Sequence, residues 1–147
     1  MAILLSRTYE IFILFGNNLV EYERIKNNKK FMEEWIKDLK KELNNQYKII
    51  FDRFESLKEL DGKIEKLEGE IKIGNSSIQL FSDRVNRDIR IIFSIFKNTH
   101  KIIVWRIDHH EKAYRKIIKH TEGFIKNHKE LILNFLGIKQ APKKLWI

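Results

Sequence analysis

A histidine pair, a tyrosine and a series of arginines fall within one stretch, RVNRDIRIIFSIFKNTHKIIVWRIDHHEKAYR, from Arg84 to Arg115. Cleavage of a phosphodiester by an adjacent 2′-hydroxyl needs a base at the nucleophile, an acid at the leaving oxygen and positive charge on the phosphorane between them. His109 and His110 are candidates for the proton transfers, with Tyr114 roughly one helical turn further on, and Arg84, Arg87 and Arg90 could supply the charge. Arg84, Arg87, Arg106, Lys112 and Arg115 belong to the same basic stretch and are candidates to hold a phosphodiester. The charge is local: residues 84–119 hold ten Lys/Arg against three Asp/Glu, whereas residues 1–83 hold fourteen against fifteen. Most of the formal +9 therefore belongs to one region, as on a binding face.

The same residues have plainer uses. A histidine pair at a helix start is often a solvated surface pair, Tyr114 falls on an apolar stripe and fits a core, and arginines commonly end strands in water. No second His/Cys pair stands at metal-ligand spacing, so neither a metal nor another cofactor is expected. Phosphate-binding glycine loops, nucleophile elbows and helix-turn-helix signatures are missing from the sequence.

The elements that must position these groups follow from periodicity. TYEIFILF at 8–15 reads as a buried strand, closed by a turn at Gly16-Asn17-Asn18. Phe31, Trp35, Leu39 and Leu43 then recur at helical spacing, and Tyr47, Ile50, Phe54 and Leu57 continue a second stripe to Leu60. Asn44-Asn45 separates the two stripes, which predicts a helical hairpin, and Asp61-Gly62 ends it. From Ile78 the period becomes two. Strands are predicted around 89–96 and 101–107 with a turn at Asn98-Thr99, and short connections imply antiparallel neighbours. Asp108 and Glu111 have the spacing of a capping box, with Asp108 as N-cap of a long last helix. His109 and His110 would then occupy its positive N-terminal end, which favours a neutral imidazole. Gly137 suits the C-cap, and Pro142 and Trp146 lie in a basic tail.

Length and composition bound the rest. The 147 residues suit one domain, and 43% hydrophobic content with ten Phe and three Trp is enough for a core. The absence of cysteine excludes disulfides and thiol chemistry and fits a reducing cytoplasm. MAILLSRTYEIFILFG is apolar but is interrupted by Arg7 and Glu10, with no small-residue cleavage site after it and no apolar run of membrane-spanning length. A cytoplasmic protein without a membrane segment is expected. Its order is strand, helix, helix, three strands, helix: an α+β domain.

RVNRDIRIIF followed by IIVWRIDHHEKAYR resembles the C-terminal half of the RelE/ParE toxin superfamily, in the branch with R-V-N-R-D and H-H-x-x-A-Y motifs. Lys66-Leu67-Glu68-Gly69 is similar to the K-x-x-G that precedes the sheet in many members. The likeness covers residues ~66–119, with agreement in element order over 8–65. It implies a RelE-like fold: a helical hairpin packed on a small antiparallel sheet, here over residues 1–120, with residues 121–147 as a helical extension of the same domain. It further implies a toxin of a type II toxin–antitoxin pair, a metal-independent endoribonuclease that cleaves mRNA on the ribosome and is neutralised by an antitoxin protein. By position, Arg90 matches the family's transition-state arginine and Tyr114 its tyrosine near the last helix, while His109 and His110 stand where members carry a basic or imidazole group. Where RelE members carry two strand lysines, this chain reads Leu80-Phe81-Ser82-Asp83, so a histidine has to replace the lysine base. ParE-type members instead inhibit DNA gyrase without nuclease residues, and the same branch occurs as a RelE-like region attached to helicase-type proteins. A non-catalytic inhibitor of a protein target or an interaction module is therefore the alternative. A basic helical nucleic-acid-binding protein without enzymology is the remaining class.

Overall fold

The computed structural model describes residues 8–39, 43–74, 76–109 and 114–137, with backbone alone at 68, 69, 109 and 114–117. Strand β1 (Glu10–Phe15) turns through Gly16 and Asn17, both at positive φ, into a short β2 (Asn18–Glu21). Helices α1 (Tyr22–Lys26), α2 (Lys29–Asp38) and α3 (Tyr47–Leu57) follow. Asn28 caps α2 by accepting a hydrogen bond from the Phe31 N–H at 3.1 Å. A single 3-10 turn, Asn44–Gln46, stands where the two asparagines weaken the helical pattern, so the predicted break is present. Strands β3 (Ile64–Ile73), β4 (Ser76–Arg84), β5 (Ile89–Phe96) and β6 (Lys101–His109) come next, then α4 (Tyr114–Asn127) and α5 (Lys129–Phe135).

The class is α+β as expected, but the sheet differs from the expectation of a small antiparallel one. Among the described residues it has six strands in the order β2-β1-β6-β5-β4-β3, and β1 runs parallel to β6. Short connections dictated the antiparallel pairs. The β1–β6 contact joins segments some ninety residues apart, and no local signal fixes its direction. Strand β3 had no place in the three-strand expectation, because Ile64, Leu67 and Ile71 also fit helical spacing and a register shift between Lys66 and Glu70 interrupts the ladder. Lys66–Gly69 therefore lies inside β3 and does not precede the sheet.

The end of β6 is the second correction. Asp108 is a fully buried strand residue paired across from Arg90, not a helix N-cap, and His109 is the last residue of the same strand, opposite Ile89. The β5 ladder beside it and the Arg106 guanidinium help hold Asp108 in the sheet. The predicted long helix is two, α4 and α5, divided at His128. Gly137, at φ 70°, follows α5 as the C-terminal signal predicted.

Helices cover both faces of the sheet. On one face Trp35, Ile50, Phe54 and Leu57 meet Ile11, Ile91, Phe93 and Val104. On the other Ile125, Ile132, Leu133 and Leu136 meet Leu80, Ile92, Ile103 and Trp105. Burying each large side chain of this kind contributes about 1.5–3 kcal/mol before entropy is counted. No helix among the described residues is long and apolar enough to cross a membrane.

A polar knot fastens α1 to α3. Glu55 accepts hydrogen bonds from Tyr22 Oη at 2.7 Å, Lys26 Nζ at 2.8 Å and Lys58 Nζ at 3.0 Å, and Lys58 also pairs with Glu23. Burial alone would raise the Glu55 carboxyl, but these donors outweigh it and hold it at about 2, below the ordinary 4.5. Because the folded value is the lower one, the stabilisation is complete above 4.5 and is lost as pH falls toward 2. Glu55→Gln should accordingly lower the urea midpoint at pH 7 and progressively less as the pH is lowered. A gap between wild type and variant that stays constant down to pH 2.5 would refute the linkage.

Glycines provide a second check. Gly62 has φ 142°, and a Cβ there would lie 1.9 Å from Arg53 Nη2. Gly62→Ala should destabilise by roughly 1–3 kcal/mol through strain. Gly123 lies in α4 with nothing within 4 Å of a built Cβ, so Gly123→Ala should stabilise by roughly 0.5–1 kcal/mol. Opposite signs in chemical denaturation are the expected result.

Candidate functional site at one end of the sheet

The face of the sheet under α4 and α5 is apolar over most of its length and polar at one end. Strand alternation and register assemble that end: Glu65 pairs with Ser82, Arg84 with Arg90, and Arg90 with Asp108. Arg90 is only 4% exposed; its Nη1 donates to Ser82 Oγ at 3.3 Å and lies 3.9 Å from Glu65 Oε2. Burial, and then the neighbouring Arg84 charge, push the Arg90 guanidinium below its ordinary pKa, and Glu65 opposes them. The guanidinium stays protonated even so, and its field is strong because little water surrounds it.

Arg106 is the hinge of the site. Its Nη2 donates to Asp108 Oδ2 at 2.9 Å, and its Nη1 lies 3.0 Å from His120 Nδ1 on α4. A guanidinium nitrogen can only donate, so His120 Nδ1 is the acceptor. The bulge between Ile92 and Phe93 on the β5–β6 ladder falls at Trp105, which lets Trp105 and Arg106 both serve this face. Trp105 Nε1 donates to Ser94 Oγ at 2.9 Å, satisfying two buried polar groups at once.

The structure thus brings together Arg84, Arg90 and Arg106 of the expected site residues, with the backbone of His109 at the same sheet end. Arg87 is exposed in the β4–β5 turn, where Asn86 Oδ1 accepts from the Asp88 and Ile89 N–H groups. Tyr114 and Arg115 are the first two residues of α4. His110 and Lys112 lie outside the described residues. Sequence reasoning missed His120 and the pairing role of Asp108. His120 lies beyond the recognised motif, and only the packing of α4 on the sheet brings it to Arg106.

On the opposite face of the same sheet end a second buried carboxylate organises its surroundings. Asp83 is fully buried and accepts from Arg53 Nε at 3.0 Å and from Arg53 Nη2 at 2.9 Å, as well as from the Lys63 backbone N–H. Burial raises the Asp83 carboxyl, and the Arg53 bonds pull against it.

The chain matches no protein-family model, no curated protein and no solved structure.

Removing the Arg106 guanidinium takes an ion-pair partner away from the fully buried Asp108 carboxylate. Arg106→Gln should therefore cost about 3 kcal/mol, and Asp108→Asn in the same background should recover part of it. A double-mutant cycle in urea is the measurement. Strictly additive losses would mean that the 2.9 Å contact carries no coupling.

Proposed function

We propose that this chain is a RelE-like toxin of a type II toxin–antitoxin pair, an endoribonuclease that acts on mRNA at the ribosome. The observation that carries the reading is the β5–β6 register: Arg90 lies opposite Asp108, directly before the histidine pair, with Arg84 on the other side. Residues twenty positions apart are thereby gathered at one sheet end, which is what in-line phosphodiester cleavage requires of its base, acid and cation.

In this reading one histidine of the 109/110 pair takes the proton of the 2′-hydroxyl. The 2′-oxygen then attacks the phosphorus, and a protonated group of the same cluster returns a proton to the departing 5′-oxygen. Tyr114 orients or assists. Arg84 holds the phosphate from the surface, while Arg90 beneath it supplies charge as the phosphorane forms. The RNA itself provides the nucleophile, so the protein contributes proton transfer and charge, without a cofactor. Arg87, Arg106, Lys112 and Arg115 extend the basic surface toward the ribosome-bound message. Its protein partner is a cognate antitoxin, and its compartment is the cytoplasm.

A ribosome-dependent cleavage assay tests this. Products ending in 2′,3′-cyclic phosphate are expected, with no dependence on any metal beyond the magnesium that holds the ribosome together. At least one of His109→Ala, His110→Ala and Tyr114→Phe should lower cleavage roughly a hundredfold while folding is preserved. Arg90→Ala should be inactive as well. Full activity in all three histidine and tyrosine variants would sink the nuclease reading. Growth arrest that begins with replication and gyrase-linked breaks would move the protein to the ParE-type function.

A further inference from the structure

Around the β4–β5 turn the molecule has a groove of about 460 Å3, of which the catalytic reading uses only Arg84 and Arg87. Arg53 and Lys63 form one wall, from α3 and the start of β3, and Arg84 and Arg87 form the other. Gly62 forms part of the floor. Among the described residues, four cations and no acidic side chain line it. Like charges brought together this way repel one another, so the fold must hold them in place by other means.

Asp83 does so. From beneath the groove it fixes the Arg53 guanidinium through bonds to Nε and Nη2 and the Lys63 backbone through its N–H. The Asp61 carbonyl accepts a further bond from Arg53 Nη2 at 3.2 Å. Gly62 then passes so close to that guanidinium that no Cβ fits. The opposite wall is equally set, because Asn86 closes the turn carrying Arg87 and reaches Gln46 Oε1 at 3.3 Å. Lys63 and Arg87 remain exposed at the rim.

We propose that this groove binds a backbone phosphate of single-stranded RNA, flanking the phosphate that is cleaved. The assignment rests on the RNA-directed reading above and extends it to Arg53 and Lys63. Arg84 belongs to both places: it lines the groove and stands beside Arg90 in the β4–β5 ladder. A polyanion at the sheet end that meets Arg84 beside Arg90 is therefore led by the same residue into the groove. The volume is that of a small-ligand cleft, enough for one phosphate with its sugar. A strand with one charge per nucleotide matches this repeating series of cations better than a single carboxylate does.

The test uses the full chain and a fluorescent ten-nucleotide 2′-O-methyl RNA, which lacks the nucleophile and survives intact. Affinity is read by anisotropy across a salt series. Lys63→Ala with Arg87→Ala should weaken binding severalfold and flatten the slope of log K against log salt by about 0.7, one phosphate on a single strand. Lys97→Ala with Lys129→Ala, at the other end of the sheet, should leave the slope as it is. An unchanged slope in the Lys63/Arg87 variant, with binding still weakened by Arg84→Ala, would overturn the groove assignment and leave the nuclease reading standing. No binding of the RNA by the wild type at low salt would overturn both. If a poly-glutamate peptide of equal charge binds more tightly than the RNA, and the Lys63/Arg87 variant loses it, the groove is a protein-docking surface and the RNA assignment is wrong.

Discussion

Strand β5 is buried on both faces, and most of the architecture answers to that constraint. Residues 89–94 are all buried, so neither face of this strand can be left to water. One face takes α2 and α3, the other α4 and α5, and each layer supplies its own apolar cluster. Such a strand tolerates a polar residue only where a partner is provided. Ser94 has Trp105 and the Gln79 carbonyl, and Arg90 has Ser82, with Glu65 at longer range. The polar end of the sheet is therefore a region where burial and charge are kept compatible by specific bonds.

Two buried carboxylates mark that end, one on each face. Asp83 stands beside Ile91 and holds Arg53; Asp108 stands beside Arg90 and holds Arg106. In both pairs the carboxylate is fully buried while the arginine reaches partly to solvent, 23% for Arg53 and 27% for Arg106. The buried acid acts as an anchor and the arginine presents its remaining donors outward. Buried ion pairs seldom add much net stability, because desolvation offsets the attraction. Their value here is geometric: they fix cations at a surface that would otherwise scatter them by mutual repulsion.

How much of this was legible beforehand varies with the range of the interaction. The helical stripes of Trp35 and Phe54, the break at Asn44-Asn45, the strand character of β5 and β6 and the closing Gly137 were all readable, because each depends on periodicity or on one residue's backbone preference. The basic cluster was readable as well, from local charge counts. Asp108 misled, since D-x-x-E is a capping signal only where a helix starts, and here the ladder with Arg90 continues through that position. Strand β3 escaped because its apolar spacing satisfies a helix and a strand equally.

What the sequence by itself determined is the set of elements, the location of the charge and the chemical types that could act on a phosphodiester. Near neighbours settle those properties, and their energies are local. Tertiary structure alone decided that β1 returns parallel to β6, that Arg90 is buried opposite Asp108, that His120 meets Arg106 and that Arg53 is held by Asp83. Each of these joins residues whose contact depends on strand register and helix packing. A shift of one residue would turn every such side chain to the other face, and no pattern within a single segment records which register the assembled core selects.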